Sequence, residues 1–275
     1  MPELPETETI ARDLNALVGG ALVTGVKVRR PNVLRRVGPS GLAKRLTGTR
    51  INRVWRRAKH IIFELESGDR MIVQPRFTGT LFVTTGYPDD AKEQYVTVSL
   101  ALGDGRWLHY ADVRRLGTVT LLSARQFAAF VARLGVEPLE NEFTSERLAR
   151  VLRTSRQAIK KVVMDQARIA GVGNIYAAEV LWRAKIDPSR AASTIEPAEV
   201  ARLRSAIVHV LTKAVEGRGT SIRDYRDANG AEGDYAPRLK AYGRASLPCP
   251  RCGTRLVSTM AIDGRATVFC WRCQR

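Results

Sequence analysis

Hydrophobic positions follow two different periods along the chain, and the change of period divides it into regions. Between residues 21 and 123 the apolar residues form short runs separated by glycine- and aspartate-rich turns. Short runs of this kind indicate a sandwich or barrel-like β domain. The predicted strands span residues 21–28, 50–57, 60–65, 70–77, 80–85, 95–101, 106–111 and 117–122.

Apolar residues at helical spacing flank this β region and fill most of the second half. Pro5 suits the first turn of the first helix, and Asn174 is a good N-cap for the helix after the turn Gly171-Val-Gly173. A loop is expected over 217–241, which is rich in Gly, Asp, Arg and Tyr. The predicted helices span residues 6–17, 124–134, 144–154, 156–165, 174–184 and 196–216.

The four cysteines occur together near the end of the chain, as Cys249-x2-Cys252 and Cys270-x2-Cys273. Two such pairs are typical of a zinc site, and four thiolates make a closed, structural site. Paired disulfides or free thiols are the alternatives. Asp263-Gly264 predicts a hairpin turn between the pairs. Arg265 would then lie near the tip, either as a phosphate contact or as an ordinary solvated arginine.

Composition narrows the class of partner. Lys and Arg number 45 against 27 Asp and Glu, which gives a net charge of +18 and a pI near 10.5. A polyanion is the natural partner of such a chain, and nucleic acid is the commonest one. The sequence has no run of 18 apolar residues and no secretory-signal pattern, so a membrane surface is a weak alternative and a cytoplasmic location is expected.

The N-terminus offers a candidate nucleophile. Removal of Met1 would leave the secondary amine of Pro2 beside the carboxylate of Glu3. A neutral amine can attack C1′ of a damaged nucleotide and form an iminium, and the positive end of the following helix would disfavour protonation of that amine. Glu3 could then transfer a proton. Taken alone, however, Pro2 is better explained as a plain terminus, with Glu3 and Glu6 as helix-start acids.

Five motifs that occur in order decide between these interpretations. Together they resemble the formamidopyrimidine-DNA glycosylase/endonuclease VIII family, over the chain from residue 2 to the C-terminus. The family fold implies an α+β protein with an N-terminal two-layer β-sandwich and flanking helices, a helix–two-turn–helix domain and a C-terminal four-cysteine zinc finger. The motifs are Met1-Pro-Glu-Leu-Pro-Glu6, Arg56-Arg-Ala-Lys59, Tyr110-Ala-Asp-Val-Arg-Arg-Leu-Gly117, Gly171-Val-Gly-Asn-Ile-Tyr-Ala177 and the four cysteines.

The resemblance implies roles for particular residues. Pro2 would be the nucleophile, Glu3 the proton-transfer group and Glu6 a supporting residue. Lys59 would grip DNA and assist catalysis. Asn174 and Arg265 would pinch a phosphate, with Arg265 counted among the catalytic residues. The remaining expected DNA contacts are Phe77, Arg114, Arg115, Leu116 and Lys160. Cys249, Cys252, Cys270 and Cys273 would hold one structural Zn2+, and no catalytic cofactor is expected.

The chain departs from the family pattern at two loops that would enter the duplex. In Gln74-Pro-Arg-Phe77-Thr-Gly79 a phenylalanine replaces the usual methionine, and in Asp112-Val-Arg-Arg-Leu116-Gly a leucine replaces the usual phenylalanine. An apolar wedge is kept at both places, whereas the alternative is that both residues belong to the core. Lys92-Glu-Gln-Tyr95 also stands where histidines are common.

These observations predict a monomeric DNA glycosylase and abasic-site lyase, associated with the bacterial nucleoid and acting on double-stranded DNA that holds an oxidised base or an abasic site. Leu4 and the complete zinc knuckles favour oxidised purines, namely 8-oxoguanine and formamidopyrimidines. The alternatives are the same chemistry on oxidised pyrimidines and a catalytically silent damage-specific DNA-binding protein. The expected domains are a catalytic β-sandwich at 1–135, a helix–two-turn–helix domain with the lesion-covering loop at 136–241, and a zinc finger at 242–275.

Overall fold

The computed structural model describes residues 2–87, 94–221 and 227–275. Two compact units are present. The first contains residues up to 132 together with 217–234, and the second contains 133–216 and 235–275. The predicted domain boundaries at residues 135 and 241 do not coincide with the limits of these two units. The division into three domains stays a prediction.

Two β-sheets form the first unit. Four antiparallel strands, β1 (Val23–Val28), β6 (Gly79–Thr84), β7 (Val96–Leu102) and β8 (Trp107–Asp112), are arranged in the order β1-β7-β8-β6. The second sheet has the order β2-β9-β5-β4-β3 and is antiparallel except for the parallel pair β2-β9. Its strands are β2 (Leu34–Arg35), β3 (Ile51–Arg57), β4 (His60–Leu65), β5 (Arg70–Gln74) and β9 (Thr118–Leu122).

The core of this unit lies between the two sheets, as a two-layer sandwich requires. Side chains from both sheets form one buried cluster, which helix α1 (Leu4–Val18) joins through Ile10, Leu14 and Val18. The outer face of the five-stranded sheet is covered by α3 (Ala124–Val131), whose Phe127 and Phe130 pack on Ile62 and Ile72. The eight predicted strands and both predicted helices of this region are confirmed.

Two elements of the first unit lack a sequence prediction. The helix α2 (Pro39–Leu46) buries only Leu42 and Leu46, and strand β2 is two residues long. Neither is long enough to develop a periodic pattern, since a helix of this length completes little more than two turns. Both pack as covers at the edges of the sandwich and contribute to its core cluster.

His109 is a structural residue of the four-stranded sheet. The side chain is completely buried, and its ring nitrogens bond Ser99 Oγ at 2.8 Å and Thr84 Oγ1 at 2.9 Å. Burial lowers the pKa of His109 to about 4, so the ring is neutral at physiological pH. Its contacts are those of a satisfied core histidine, which agrees with the absence of metal or triad spacing around it in the sequence.

The second unit is helical. It contains α4 (Ser145–Arg153), α5 (Ile159–Met164), α6 (Asn174–Ala184) and α7 (Pro197–Glu216), so each helix predicted from periodicity in this region is confirmed. Helices α6 and α7 pack against each other. Helix α4 packs against α7, and α5 packs against α6. No helix among the described residues is both long and apolar enough to cross a bilayer.

A two-stranded hairpin, β10 (Val257–Thr259) and β11 (Thr267–Phe269), completes the second unit. The segment that leads into it is fixed by Glu179 of α6. This buried carboxylate accepts hydrogen bonds from the backbone N–H groups of Lys240, Ala241 and Tyr242 at 2.8–2.9 Å. Burial raises the pKa of Glu179, while the three donors act in the opposite direction. The path of the chain into the hairpin therefore depends on one side chain.

Replacement of Glu179 by Gln is expected to lower the free energy of unfolding by about 1–3 kcal/mol, because an amide NH2 cannot accept from donors that stay buried. Urea unfolding followed by circular dichroism measures the change. Glu142→Gln, at an exposed glutamate of the same unit, is the matched control and is expected to stay within about 0.5 kcal/mol of the parent. Equal stability of the two variants would contradict the anchoring role of Glu179.

Candidate functional site

The start of α1 is the first candidate site. Pro2 and Glu3 precede the helix and are buried, with Glu3 3% exposed. The carboxylate of Glu6 lies at the same end: one oxygen accepts from the backbone N–H of Glu3 at 2.8 Å, and the other accepts from the backbone N–H of Thr220 at 2.7 Å. Glu6 therefore joins the first residues of the chain to a segment more than 200 positions away.

This segment approaches Glu6 closely. A Cβ on Gly219 would lie 2.8 Å from the Cγ and Oε1 atoms of Glu6, and Gly219 has a φ of +85°. Only glycine fits both conditions. Arg218 adds a second tie through ion pairs with Asp13 of α1 and with the buried Asp227. The segment on each side of residues 222–226 is thus anchored to α1; the lesion-covering loop expected within 217–241 lies partly outside the described residues.

Lys59 occupies the turn of the β3–β4 hairpin. Arg57 pairs with His60 across the strands, so Ala58 and Lys59 form the turn, with Ala58 at a φ of +54°. Arg56 bonds the carbonyl of Ala58 and the carboxylate of Glu8, which ties the turn to α1. Lys59 is only 7% exposed, an unusual burial for a lysine. The turn conformation and the Arg56–Glu8 pair hold it beside the helix that follows Pro2 and Glu3.

A buried aspartate organises the two loops that carry the apolar side chains. Asp112 accepts hydrogen bonds from the backbone N–H groups of Arg114 at 3.2 Å and Gly117 at 2.8 Å, and from the hydroxyl groups of Thr78 at 2.5 Å and Tyr110 at 3.2 Å. Thr78 belongs to the loop 75–79, whereas the other donors flank or lie in the loop 112–117. One carboxylate therefore holds both loops together.

Both loops present apolar side chains to solvent. Phe77 is 46% exposed and Leu116 is 41% exposed, so neither is a core residue. The guanidinium of Arg114 lies 5.1 Å from the centre of the Phe77 ring, a cation–π contact that joins the tips of the two loops. Arg76 and Arg115 are exposed beside them, with φ values of +53° and +50°. The structure thus brings the predicted wedge residues and Arg114 together.

In the second unit, Asn174 and Arg265 lie on elements in contact. The amide of Asn174 donates to the carbonyl of Ala266 at 3.1 Å, which places the start of α6 against the β10–β11 turn. Arg265 is exposed at that turn. The expectation that Asn174 caps α6 is wrong: Gly173 is the N-cap, and Asn174 is the first helical residue. Because its side chain bonds the hairpin, it is used between elements instead of within its own helix.

Lys160 is buried, whereas a direct DNA contact requires an exposed side chain. Its side chain on α5 is completely buried, and its ammonium bonds Asp263 Oδ1 at 2.9 Å and Thr267 Oγ1 at 2.7 Å. Burial lowers the pKa of Lys160, and the hydrogen bond and charge of Asp263 oppose that shift. In this structure the lysine contacts the hairpin and exposes no surface to a duplex, so direct DNA contact by Lys160 stays an unsupported prediction.

The four cysteines form a single cluster. Their sulfur atoms lie within 4.8 Å of one another, with 3.6 Å between Cys252 and Cys270. Zinc–thiolate bonds of about 2.3 Å in a tetrahedron put sulfur atoms about 3.8 Å apart, so the residues fit a Zn2+ ion. Trp182 of α6 donates its indole N–H to Cys249 Sγ at 3.4 Å. Such an outer hydrogen bond orients a metal ligand.

Several residues that support the site were not singled out in the sequence. They are all polar groups whose partners are distant along the chain: Thr220, Arg56 with Glu8, Asp112 and Asp263. Arg56 and Asp112 stand inside two of the five motifs, and Asp263 belongs to a predicted turn, but none of these signals indicates the contacts that the side chains make. Of the departures from the family pattern, Lys92 and the following glutamate lie outside the described residues, and Tyr95 is half exposed.

Comparisons with known proteins agree with this geometry. Three family models match: the formamidopyrimidine-DNA glycosylase N-terminal domain at residues 1–119, the formamidopyrimidine-DNA glycosylase H2TH domain at 134–226, and a zinc finger found in FPG and IleRS at 246–275. A formamidopyrimidine-DNA glycosylase of Pelotomaculum thermopropionicum is 40% identical over 277 residues, covering 100% of this chain and 99% of the relative.

Solved structures agree with these matches. Lactococcus lactis Fpg (MutM) in complex with DNA containing N7-benzyl-Fapy-dG superposes with a TM-score of 0.91 at 34% identity, covering both chains completely. The L. lactis enzyme bound to DNA containing an abasic site gives a TM-score of 0.90 at 33% identity, with 99% of each chain covered. With an α+β fold, a structural zinc site and family models across most of its length, this chain belongs to the formamidopyrimidine-DNA glycosylase family.

Proposed function

We propose that this protein is a bifunctional DNA glycosylase and abasic-site lyase that removes oxidised purines, 8-oxoguanine and formamidopyrimidines, from double-stranded DNA during base excision repair. One observation carries the proposal: in a member of this family, Pro2 and Glu3 are buried together at the start of α1, held there by the Glu6 carboxylate. A protein that only binds DNA has no use for an amine and an acid in that arrangement. The related Lactococcus lactis complexes contain Fapy-containing and abasic DNA, which supports the substrate class.

The chemistry follows from the residues. After Met1 is removed, the Pro2 nitrogen attacks C1′ of the damaged nucleotide, and the bond from C1′ to the base breaks as the base leaves with a proton. Glu3 supplies a proton to the ring oxygen, which opens the sugar and leaves an iminium between Pro2 and C1′. The iminium acidifies the C2′ hydrogen. Its loss expels the 3′ phosphate, and a second elimination expels the 5′ phosphate before water releases the sugar fragment.

The positions of the proposed catalytic residues and the electric field of helix α1 favour this sequence of steps. Pro2 lies at the positive end of α1, which favours the neutral, nucleophilic amine. Glu6 is already engaged by two backbone donors, so it holds the terminus and leaves proton transfer to Glu3. Lys59, held beside α1 by its turn, contributes a cation for a phosphate next to the reacting sugar. Holding these groups in place before the substrate arrives is the larger part of the rate gain we assign to the protein.

Base extrusion uses the loops that Asp112 holds together. An enzyme that acts on a base must take it out of the stack and fill the gap. Phe77 and Leu116 are exposed apolar side chains on adjacent loop tips, suited to enter the stack, and Arg114 can contact the base left unpaired. Arg115 would add a phosphate contact near the same loop. Asn174 and Arg265, which belong to the second unit, would bind a phosphate of the DNA. A Zn2+ ion on the four cysteines would hold the hairpin that carries Arg265.

The domain roles follow the same assignment. Residues 1–135 would carry the chemistry, 136–241 would bind DNA and supply the lesion-covering loop, and 242–275 would hold the phosphate through the zinc finger. The net charge of +18 makes binding strongly salt-dependent, because each phosphate contact releases counterions. We propose that the protein acts as a monomer on chromosomal DNA in the cytoplasm.

Borohydride trapping tests the reaction. The protein with Met1 removed, as verified by mass spectrometry, is expected to form a covalent complex with a duplex containing 8-oxoguanine opposite cytosine and with an abasic duplex. A protein that retains one extra residue before Pro2 has an amide at that nitrogen, so it is expected to give no complex while it binds an uncleavable abasic analogue with similar affinity. Trapping on the abasic duplex and on oxidised pyrimidines, but not on 8-oxoguanine, would reassign the lesion class. No trapping at all would leave a silent DNA-binding protein.

Replacement of Phe77 by Ala should remove the wedge without disturbing the loop, whose fold depends on Asp112 and Thr78. Excision of 8-oxoguanine from a duplex is expected to fall at least tenfold, because the cost of unstacking, a few kcal/mol, is no longer offset. Cutting of a single-stranded abasic oligonucleotide, which needs no extrusion, should stay near the parent rate. The variant Phe82→Leu, at a position in strand β6, serves as the control for loss of a phenylalanine outside the loop. An equal loss on both substrates would point to damage of the active site instead.

Removal of the zinc should abolish phosphate binding by the hairpin. In Cys270→Ser one of four thiolates is lost, the metal binds more weakly, and the turn carrying Arg265 is no longer fixed. Affinity for duplex DNA is expected to fall more than tenfold, measured by fluorescence anisotropy beside the zinc content of the protein. Full DNA affinity in a zinc-free variant would refute the role of the finger in binding.

A further inference from the structure

The turn that carries Arg265 is fixed from within by two side chains. Asp263 Oδ1 accepts from the backbone N–H of Arg265 at 3.2 Å, and the hydroxyl of Thr267 donates to the carbonyl of Arg265 at 3.2 Å. Gly264, between them, has a φ of +73°, so the turn uses a left-handed residue at its corner. The backbone of Arg265 is thus bonded on both sides, while its side chain projects into solvent.

Both of these side chains are held by the same ammonium. Lys160 Nζ bonds Asp263 Oδ1 at 2.9 Å and Thr267 Oγ1 at 2.7 Å, and the lysine side chain has no exposed surface. Asn174 adds a third tie through the carbonyl of Ala266. Lys160 is therefore placed to fix the orientation of the turn relative to α5, and Asn174 its orientation relative to α6.

The pair also has an electrostatic consequence. A carboxylate two residues from a phosphate-binding arginine would repel the phosphate across a few ångströms. The ammonium of Lys160 neutralises Asp263 at a distance of 2.9 Å, so Arg265 can act at full effect. A buried ion pair is not by itself evidence of stability, but loss of one partner leaves an uncompensated charge. Here that charge would lie beside the DNA.

We propose that Lys160 and Asp263 form a positioning pair, which fixes the turn bearing Arg265 and cancels the negative charge beside it so that Arg265 can bind a phosphate. The inference rests on the proposed function, because it needs Arg265 to contact DNA. Asp263 thereby gains a role that its position in a turn does not reveal, and Lys160 acts on DNA through Arg265 without touching it.

Six variants test the pair by fluorescence anisotropy on a duplex with an uncleavable abasic analogue. Lys160→Met should weaken binding at least tenfold and lower the slope of log affinity against log salt by about one, the loss of one phosphate contact. The same substitution in an Asp263→Asn background should recover at least threefold of the lost affinity, because no charge is left unpaired and Asn still accepts from Arg265, although the tie from Lys160 to the turn is missing. Lys161→Met, at the exposed neighbour, is the matched control for a lost lysine.

The variant Asp263→Ala tests the pair while Lys160 is retained. It removes the acceptor for both Lys160 and the Arg265 N–H, and it should weaken binding at least fivefold, whereas Asp263→Asn stays within threefold of the parent. Single-turnover cutting of an abasic duplex at saturating enzyme should be unchanged in the control variant Lys161→Met.

Three outcomes would overturn the inference. The first is equal weakening by Lys160→Met with and without Asp263→Asn, which would indicate lost packing. The second is equal affinity of Asp263→Ala and Asp263→Asn. The third is parent affinity and salt slope in Arg265→Ala, since the pair would then position nothing that binds DNA. Failure of the proposed function is detected by a separate experiment, in which the parent protein gives no borohydride-trapped complex. The binding measurements above do not depend on that trapping reaction.

Discussion

Buried carboxylates hold the backbone at three places where the described chain leaves regular structure. The groups proposed for catalysis and binding lie at a terminus, in a two-residue turn and on loops, where backbone N–H groups have no helix or sheet partner. Such groups cannot be left unsatisfied in the interior. Glu6 accepts two of them, Glu179 accepts three, and Asp112 accepts two together with two hydroxyls. Glu6 and Glu179 thereby join segments that no described sheet pairs, and Asp112 joins two loops at the ends of the paired strands β6 and β8.

This arrangement separates support from chemistry. Glu6 accepts from two backbone donors and fixes the start of the chain. In the same way Asp112 shapes two loops whose outward side chains are exposed, and Lys160 is buried while Arg265 is exposed. Phe77, Leu116 and Arg265, which are expected to touch DNA, therefore lie at the surface, whereas Asn174 also bonds the hairpin.

The sequence contains most of the fold, because the fold depends on periodic burial. Strands β3–β9 and the long helices follow from apolar spacing, while α2 and β2 are too short to show a period. The site is predictable only through motifs. Cys249, Cys252, Cys270 and Cys273 carry their spacing with them, and Pro2 and Glu3 are adjacent. The contacts of Glu6 with Thr220 and of Lys160 with Asp263 span 214 and 103 positions, respectively, and no local pattern encodes them. The family resemblance implies a DNA contact for Lys160, whose side chain is buried in this structure.

The bond between Thr78 and Asp112 has a consequence for how lesion preference can change over time. The shape of both loops is set by Asp112, Thr78, Tyr110 and the crowded Gly79 and Gly117, and none of these projects from the loop tips. The outward residues at positions 77 and 116 can therefore be exchanged without refolding the loops, as the phenylalanine and leucine found here illustrate. Under the proposed function, substitutions at these two loop tips would change recognition one residue at a time while the proposed catalytic residues stay in place.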